Sequence, residues 1–125
     1  MAAEMTHRGA VLIVEDDIDI RETLAEILAD EGYEVASAAN GLDAISYLQT
    51  EAAPCVILLD LMMPVMSGWD FLETLQDEQP DLRDIPVIVV SAAHNPQLPV
   101  GVRLLPKPLD WNTLTRAIND MITKH

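Results

Sequence analysis

The strongest constraint on this chain is an alternation of short apolar runs, rich in β-branched residues, with stretches whose apolar residues recur at helical spacing. Residues 11–14, Val11-Leu12-Ile13-Val14, are uninterruptedly apolar. After them Ile20, Leu24, Ile27 and Leu28 share one helical face, and Gly32 stands where a C-terminal cap belongs. Residues 33–37 read as a second strand, Asn40-Gly41 as a turn and helix entry, and Ala44, Ile45 and Leu48 as the buried stripe of a second helix. Further strands are expected at 55–60 and 86–91, with a helix at 69–76 between them that turns Leu72 and Leu75 inward. Asp110 is placed to cap a final helix carrying Leu114, Ile118 and Met121. Strands that are apolar at every position are buried on both faces, so the pattern predicts an α/β domain with βα units around one parallel sheet. A chain of 125 residues suffices for one such domain and is too short for two. Residues 1–9 are read as a tail and 10–125 as the domain.

The alternation breaks once, between Ser91 and Lys107. The 15 residues between them must supply a fifth strand, which takes about 5, and they include Pro96 and Pro99. Each proline removes a backbone donor and biases its predecessor away from helix. The fourth helix of the alternation, between the fourth and fifth strands, is therefore expected to be shortened or absent.

Composition narrows the function classes. The formal charge is −14, from 21 acidic and 7 basic side chains. Binding to a phosphate backbone needs clustered Lys and Arg, so direct nucleic-acid binding is not expected. No apolar run approaches the roughly 20 residues of a membrane span, and residues 1–8 contain no apolar core of a secretory signal. Neither membrane insertion nor export is expected. The single cysteine, Cys55, allows no internal disulfide and fits a reducing cytoplasm, where it reads as a small buried apolar residue at a strand start.

Most of the 21 carboxylates are explained as a solvated surface, but three are placed differently. In an open parallel sheet the residues just past the strands' carboxyl ends converge on one edge, where ligands usually bind. Glu15 and Asp16 follow the first strand, Asp60 ends the third, Ser91 ends the fourth and Lys107 follows the fifth. Glu15, Asp16 and Asp17 alone could simply favour a helix N-terminus through the macrodipole. Asp60 argues for more, because solvation poorly explains a carboxylate ending the run Cys55-Val56-Ile57-Leu58-Leu59. Three convergent carboxylates repel one another, and a hard divalent cation such as Mg²⁺ relieves that repulsion. A cation from Lys107 and a hydroxyl from Ser91 complete a set suited to a phosphoryl group. Asp17 is assigned to helix capping.

These segments, together with Leu58-Leu59-Asp60-Leu61-Met62-Met63-Pro64, Met66-Ser67-Gly68, Val90-Ser91-Ala92 and Leu105-Pro106-Lys107-Pro108, resemble the receiver domains of two-component response regulators, the CheY-like family. The likeness runs from about Ala10 to Ile122. It implies a doubly wound, flavodoxin-like sheet of five parallel strands in the order 2-1-3-4-5. It also implies that Asp60 is phosphorylated by a histidine kinase or histidine phosphotransfer protein. Asp16 would bind Mg²⁺ directly, Glu15 through water, and Asp60 and the Met62 carbonyl would be further ligands. Ser91 and Lys107 would hold the phosphoryl group, and Lys107-Pro108 matches a position where the family's peptide is cis. Gly68 matches the loop residue that lets the chain leave the site and enter the third helix. The resemblance further implies a switch in which the Ser91 hydroxyl moves and an aromatic residue of the fifth strand turns inward. Here that second switch position is Leu104, which departs from the pattern. Output through the usual surface around the fourth helix and fifth strand is therefore not expected, and signalling would pass to a downstream protein partner by contact or onward phosphotransfer.

Two other readings compete. A haloacid-dehalogenase-type phosphatase would carry a second Asp two residues after its nucleophile, where this chain has Met62, so no such enzyme is expected. A pseudo-receiver, an interaction module not regulated by phosphorylation, would share the fold but would not need all of these residues.

Overall fold

The computed structural model describes residues 9–51, 53–61, 65–78, 85–91, 98, 102–107 and 110–123. Five strands, β1 (Ala10–Val14), β2 (Glu34–Ala38), β3 (Val56–Asp60), β4 (Val87–Ser91) and β5 (Arg103–Pro106), alternate with helices α1 (Ile18–Asp30), α2 (Gly41–Thr50), α3 (Gly68–Glu78) and α4 (Trp111–Thr123). The strands are parallel and ordered β2-β1-β3-β4-β5, the flavodoxin-like order the resemblance implied. The expectation of a shortened or missing helix between β4 and β5 falls on residues 92–97 and 99–101, outside the described residues, as does the Lys107-Pro108 peptide.

Strand periodicity divides the core. Leu12, Val14, Ile57, Leu59, Val87 and Val89 point to one side, where Ala44 and Leu48 of α2 and Phe71, Leu72 and Leu75 of α3 cover them. Val11, Ile13, Val56, Leu58 and Ile88 point to the other, beneath Leu24 and Leu28 of α1 and Leu114, Ala117 and Ile118 of α4. Every residue of β3 and β4 is buried, which is why these strands read as continuous apolar runs.

Local chemistry sets the element ends. Asp17 caps α1, its carboxylate accepting from the N–H groups of Asp19 and Ile20. At the other end of α1, Gly32 adopts φ +96°, its N–H donates to Ala29 and the Tyr33 N–H donates to Leu28, a Schellman closure. Tyr33, expected within the second strand, is thus spent on closing α1 and packs among the same core residues as Leu28, so β2 begins at Glu34. Asn40 caps α2 by accepting from Asp43, and the Ser67 hydroxyl accepts from the Asp70 N–H in the first turn of α3.

Cys55 corrects the sequence reading. It lies just before β3 and is exposed, its N–H pairing with Ala10 at the end of the sheet where β1 begins. Gly68, expected as a loop residue, is the first residue of α3 and is required by close approach. A Cβ there would stand 2.6 Å from Leu61 Cα and 2.8 Å from the Asp60 carbonyl oxygen. At Gly41 the clash would be with a side chain and not with backbone, Met66 Sδ at 2.7 Å, Cγ at 2.8 Å and Cβ at 3.0 Å. Gly68→Ala should therefore destabilise the domain by about 1–3 kcal/mol in urea unfolding, although alanine favours helix, and Gly41→Ala should cost less. Equal midpoints for Gly68→Ala and wild type would contradict this account of the β3–α3 junction.

Candidate functional site

Strand register builds the site. Val14 of β1 pairs with Leu59 of β3, so the next residues, Glu15 and Asp60, emerge side by side at the carboxyl edge. Asp60 pairs with Val90, which places Ser91 one residue further along β4, and Ser91 pairs with Pro106, the residue before Lys107. The Lys107 N–H donates to the Ser91 carbonyl at 3.0 Å, fixing where the lysine leaves the sheet.

Four of the residues singled out in the sequence meet here. One carboxylate oxygen from each of Glu15, Asp16 and Asp60 lies within 4.8 Å of the others. Lys107 Nζ stands 3.7 Å from Asp60 Oδ2. Glu15 and Asp60 are buried, Asp16 is exposed and Lys107 is half-buried, so the acid cluster opens to solvent on the Asp16 side. Ser91 is buried at the end of β4. Met62 lies outside the described residues, and Leu104 is an exposed residue of edge strand β5. Behind the carboxylates is a small apolar cavity of about 20 Å³, walled by Ile20, Leu24, Leu58 and Val90 and reaching Glu15, Asp60 and Lys107.

Burial in that setting pushes the Glu15 carboxyl up to about 7. The neighbouring Asp60 charge and a hydrogen bond shared with Asp60 act in the same direction, whereas the Asp17 N–H and Lys107 oppose the shift. Without a cation, the acid cluster is best accommodated with a proton on Glu15. The three oxygen donors, crowded and partly desolvated, are chemically suited to a hard divalent cation such as Mg²⁺, which would take that proton's place.

Arg21 was not among the residues singled out in the sequence. From the first turn of α1 its Nη1 donates to the Glu15 carbonyl at 2.8 Å. A legible signal was available: a cation near a helix N-terminus is on the unfavourable side of the macrodipole and needs a local reason.

The family model for the response regulator receiver domain matches residues 11–119. The transcriptional regulatory protein CpxR homolog of Haemophilus influenzae is 32% identical over 120 residues, covering 91% of this chain and 50% of that protein. The probable transcriptional regulator ycf27 of Cyanophora paradoxa is 39% identical over 86 residues, covering 69% and 34%. The chain thus spans between a third and a half of the length of these curated relatives. Among solved structures, the signal receiver domain of a signal transduction histidine kinase from Syntrophus aciditrophicus superposes with a TM-score of 0.84 at 30% identity, covering 93% of this chain and 91% of that one.

The raised Glu15 carboxyl has a signed consequence. Between its ordinary value of 4.5 and about 7 the folded state holds a proton that the unfolded chain releases, so raising the pH through this window removes stability. The slope is at most about 1.4 kcal/mol per pH unit. In metal-free buffer, wild type should lose urea stability relative to Glu15→Gln between about pH 4.5 and pH 7. Parallel pH profiles for the two proteins would contradict the shift.

Proposed function

The chain belongs to the response regulator receiver domains, and on that premise we propose that it is a phosphoryl acceptor, modified on Asp60 by a histidine kinase or histidine phosphotransfer protein. Receiver domains are signalling modules of two-component systems, and the proposed role is that of a switch rather than of a turnover enzyme. The observation that carries the proposal is the placement of Asp60: buried at the end of β3, beside Glu15 and Asp16, with the Lys107 ammonium 3.7 Å from its Oδ2. A buried carboxylate between two acids and a lysine is both a nucleophile and part of a charge-compensated pocket.

Glu15, Asp16 and Asp60, with the Met62 carbonyl by family resemblance, would hold Mg²⁺, which supplies electrostatic stabilisation of the transferring oxygens when bound. The chain's own residues do the rest. An Asp60 oxygen attacks phosphorus in line as the phosphorus–nitrogen bond of the donor phosphohistidine breaks. Lys107, held by its backbone bond to Ser91, offers its charge to the phosphoryl oxygens, and the Ser91 hydroxyl is the proposed donor to one of them. Recruitment of that hydroxyl would shift the equilibrium between two arrangements of the β4–β5 edge, where Leu104 takes the aromatic's position. No described helix is long and apolar enough to cross a membrane. We place the domain in the cytoplasm, signalling to a downstream protein rather than to nucleic acid directly.

Acetyl phosphate with Mg²⁺ should label wild type and fail to label Asp60→Asn, whose amide keeps the shape but is a poor nucleophile. Undiminished labelling of the variant would remove Asp60 from this role, and an unlabelled wild type would favour the pseudo-receiver. Mg²⁺ should also raise the thermal midpoint, because the unfolded chain has no comparable site. Asp16→Ala should lose most of that response, and an undiminished response in the variant would argue against the pocket.

A further inference from the structure

We infer that Arg21 is a positioning residue for the acid pair, clamping the Glu15 carbonyl so that Glu15 and Asp16 are presented to the cation site. The inference deepens the proposed Mg²⁺ reading and rests on it. Glu15 is held at three points. Its N–H donates to Ala38 at the end of β2, its side chain accepts from the Asp17 N–H at 3.2 Å, and its carbonyl accepts from Arg21 Nη1 at 2.8 Å. Arg21 is itself fixed, because its own N–H donates to the Asp17 carbonyl as α1 begins. One residue therefore joins the end of β1, the Asp17 cap and the first turn of α1, the three places that set where the two acids point.

The choice of residue supports a specific role. The chain has only 7 basic side chains, and one of them stands in the first turn of a helix, where the macrodipole disfavours a cation. The guanidinium is planar and always charged, and the half-buried Arg21 spans six residues back to donate to a backbone oxygen at 2.8 Å. A contact with the backbone fixes geometry, and it leaves the Glu15 and Asp16 carboxylates available to a cation.

Charge and positioning make opposite predictions, which gives the test its sign. A guanidinium beside a cation site repels the cation, so if Arg21 acted only through charge, Arg21→Met would tighten Mg²⁺ binding. If it positions the acids, the same substitution weakens binding despite removing that repulsion. Mg²⁺ alone is titrated into the full chain and followed by backbone amide chemical shifts, with urea midpoints measured in metal-free buffer for each protein. The expected dissociation constants rise from wild type to Arg21→Lys by about threefold and to Arg21→Met by about tenfold or more, by more than any change in the metal-free midpoint accounts for. Binding by Arg21→Met that equals or exceeds wild type overturns the inference. Should Arg21→Met fail to fold, Arg21→Lys decides, and wild-type affinity in that variant overturns it as well. Wild type that shows no saturable Mg²⁺ binding removes the underlying reading of the pocket, an outcome distinct from saturable wild-type binding left unchanged by Arg21 substitution.

Discussion

The repulsion between Glu15 and Asp60 is the interaction around which the rest of the site is arranged. Two ionised carboxylates less than 5 Å apart repel by roughly 3–4 kcal/mol at an effective dielectric of about 20, and burial adds the cost of keeping charge from water. The fold imposes this proximity: β1 and β3 are adjacent, their register is locked by apolar pairs from Val11–Val56 to Val14–Leu59, and the acids are the next residues out. Slipping either strand by one residue would turn its core side chains to the wrong face. The core thus supplies the energy that holds two like charges together, and the carboxyl edge must offset them with a proton on Glu15, the Lys107 ammonium or a bound cation.

Each neighbouring element contributes to that compensation. The β4–β5 register and the Lys107–Ser91 backbone bond bring the lysine to Asp60. Asp17, by capping α1, keeps a fourth carboxylate on the helix N-terminus and out of the cluster. Gly68 allows α3 to start against the Asp60 carbonyl, so the backbone of Asp60 is backed by a helix. A site under such tension responds strongly to added charge, which suits a domain that would change state when a phosphoryl group arrives.

Much of this was legible in the sequence because it depends on local rules. Runs such as Val11–Val14 and Val56–Leu59 announce strands buried on both faces, and residues at the ends of parallel strands must share one edge, so Glu15, Asp16, Asp60 and Lys107 could be grouped before their distances were known. What was not legible depends on three-dimensional competition for backbone groups. Tyr33 looked like strand and instead closes α1, because Gly32 turns its N–H back to Leu28. Cys55 looked like core and is exposed, because it falls just before the fully buried strand β3. Arg21 offered only the signal of a cation placed near a helix N-terminus, and its reach to the Glu15 carbonyl appears only once the turn between β1 and α1 is built.

The proposed phosphoryl transfer rests on one atom group, the Asp60 carboxylate. The most direct measurement is peptide mapping by mass spectrometry of wild-type protein incubated with a small phosphodonor and Mg²⁺, with the acyl phosphate trapped by borohydride reduction. Under this account the reduced residue is Asp60 alone, and omission of Mg²⁺ sharply lowers its yield. Trapping at Glu15, Asp16 or a surface carboxylate in place of Asp60 would contradict it.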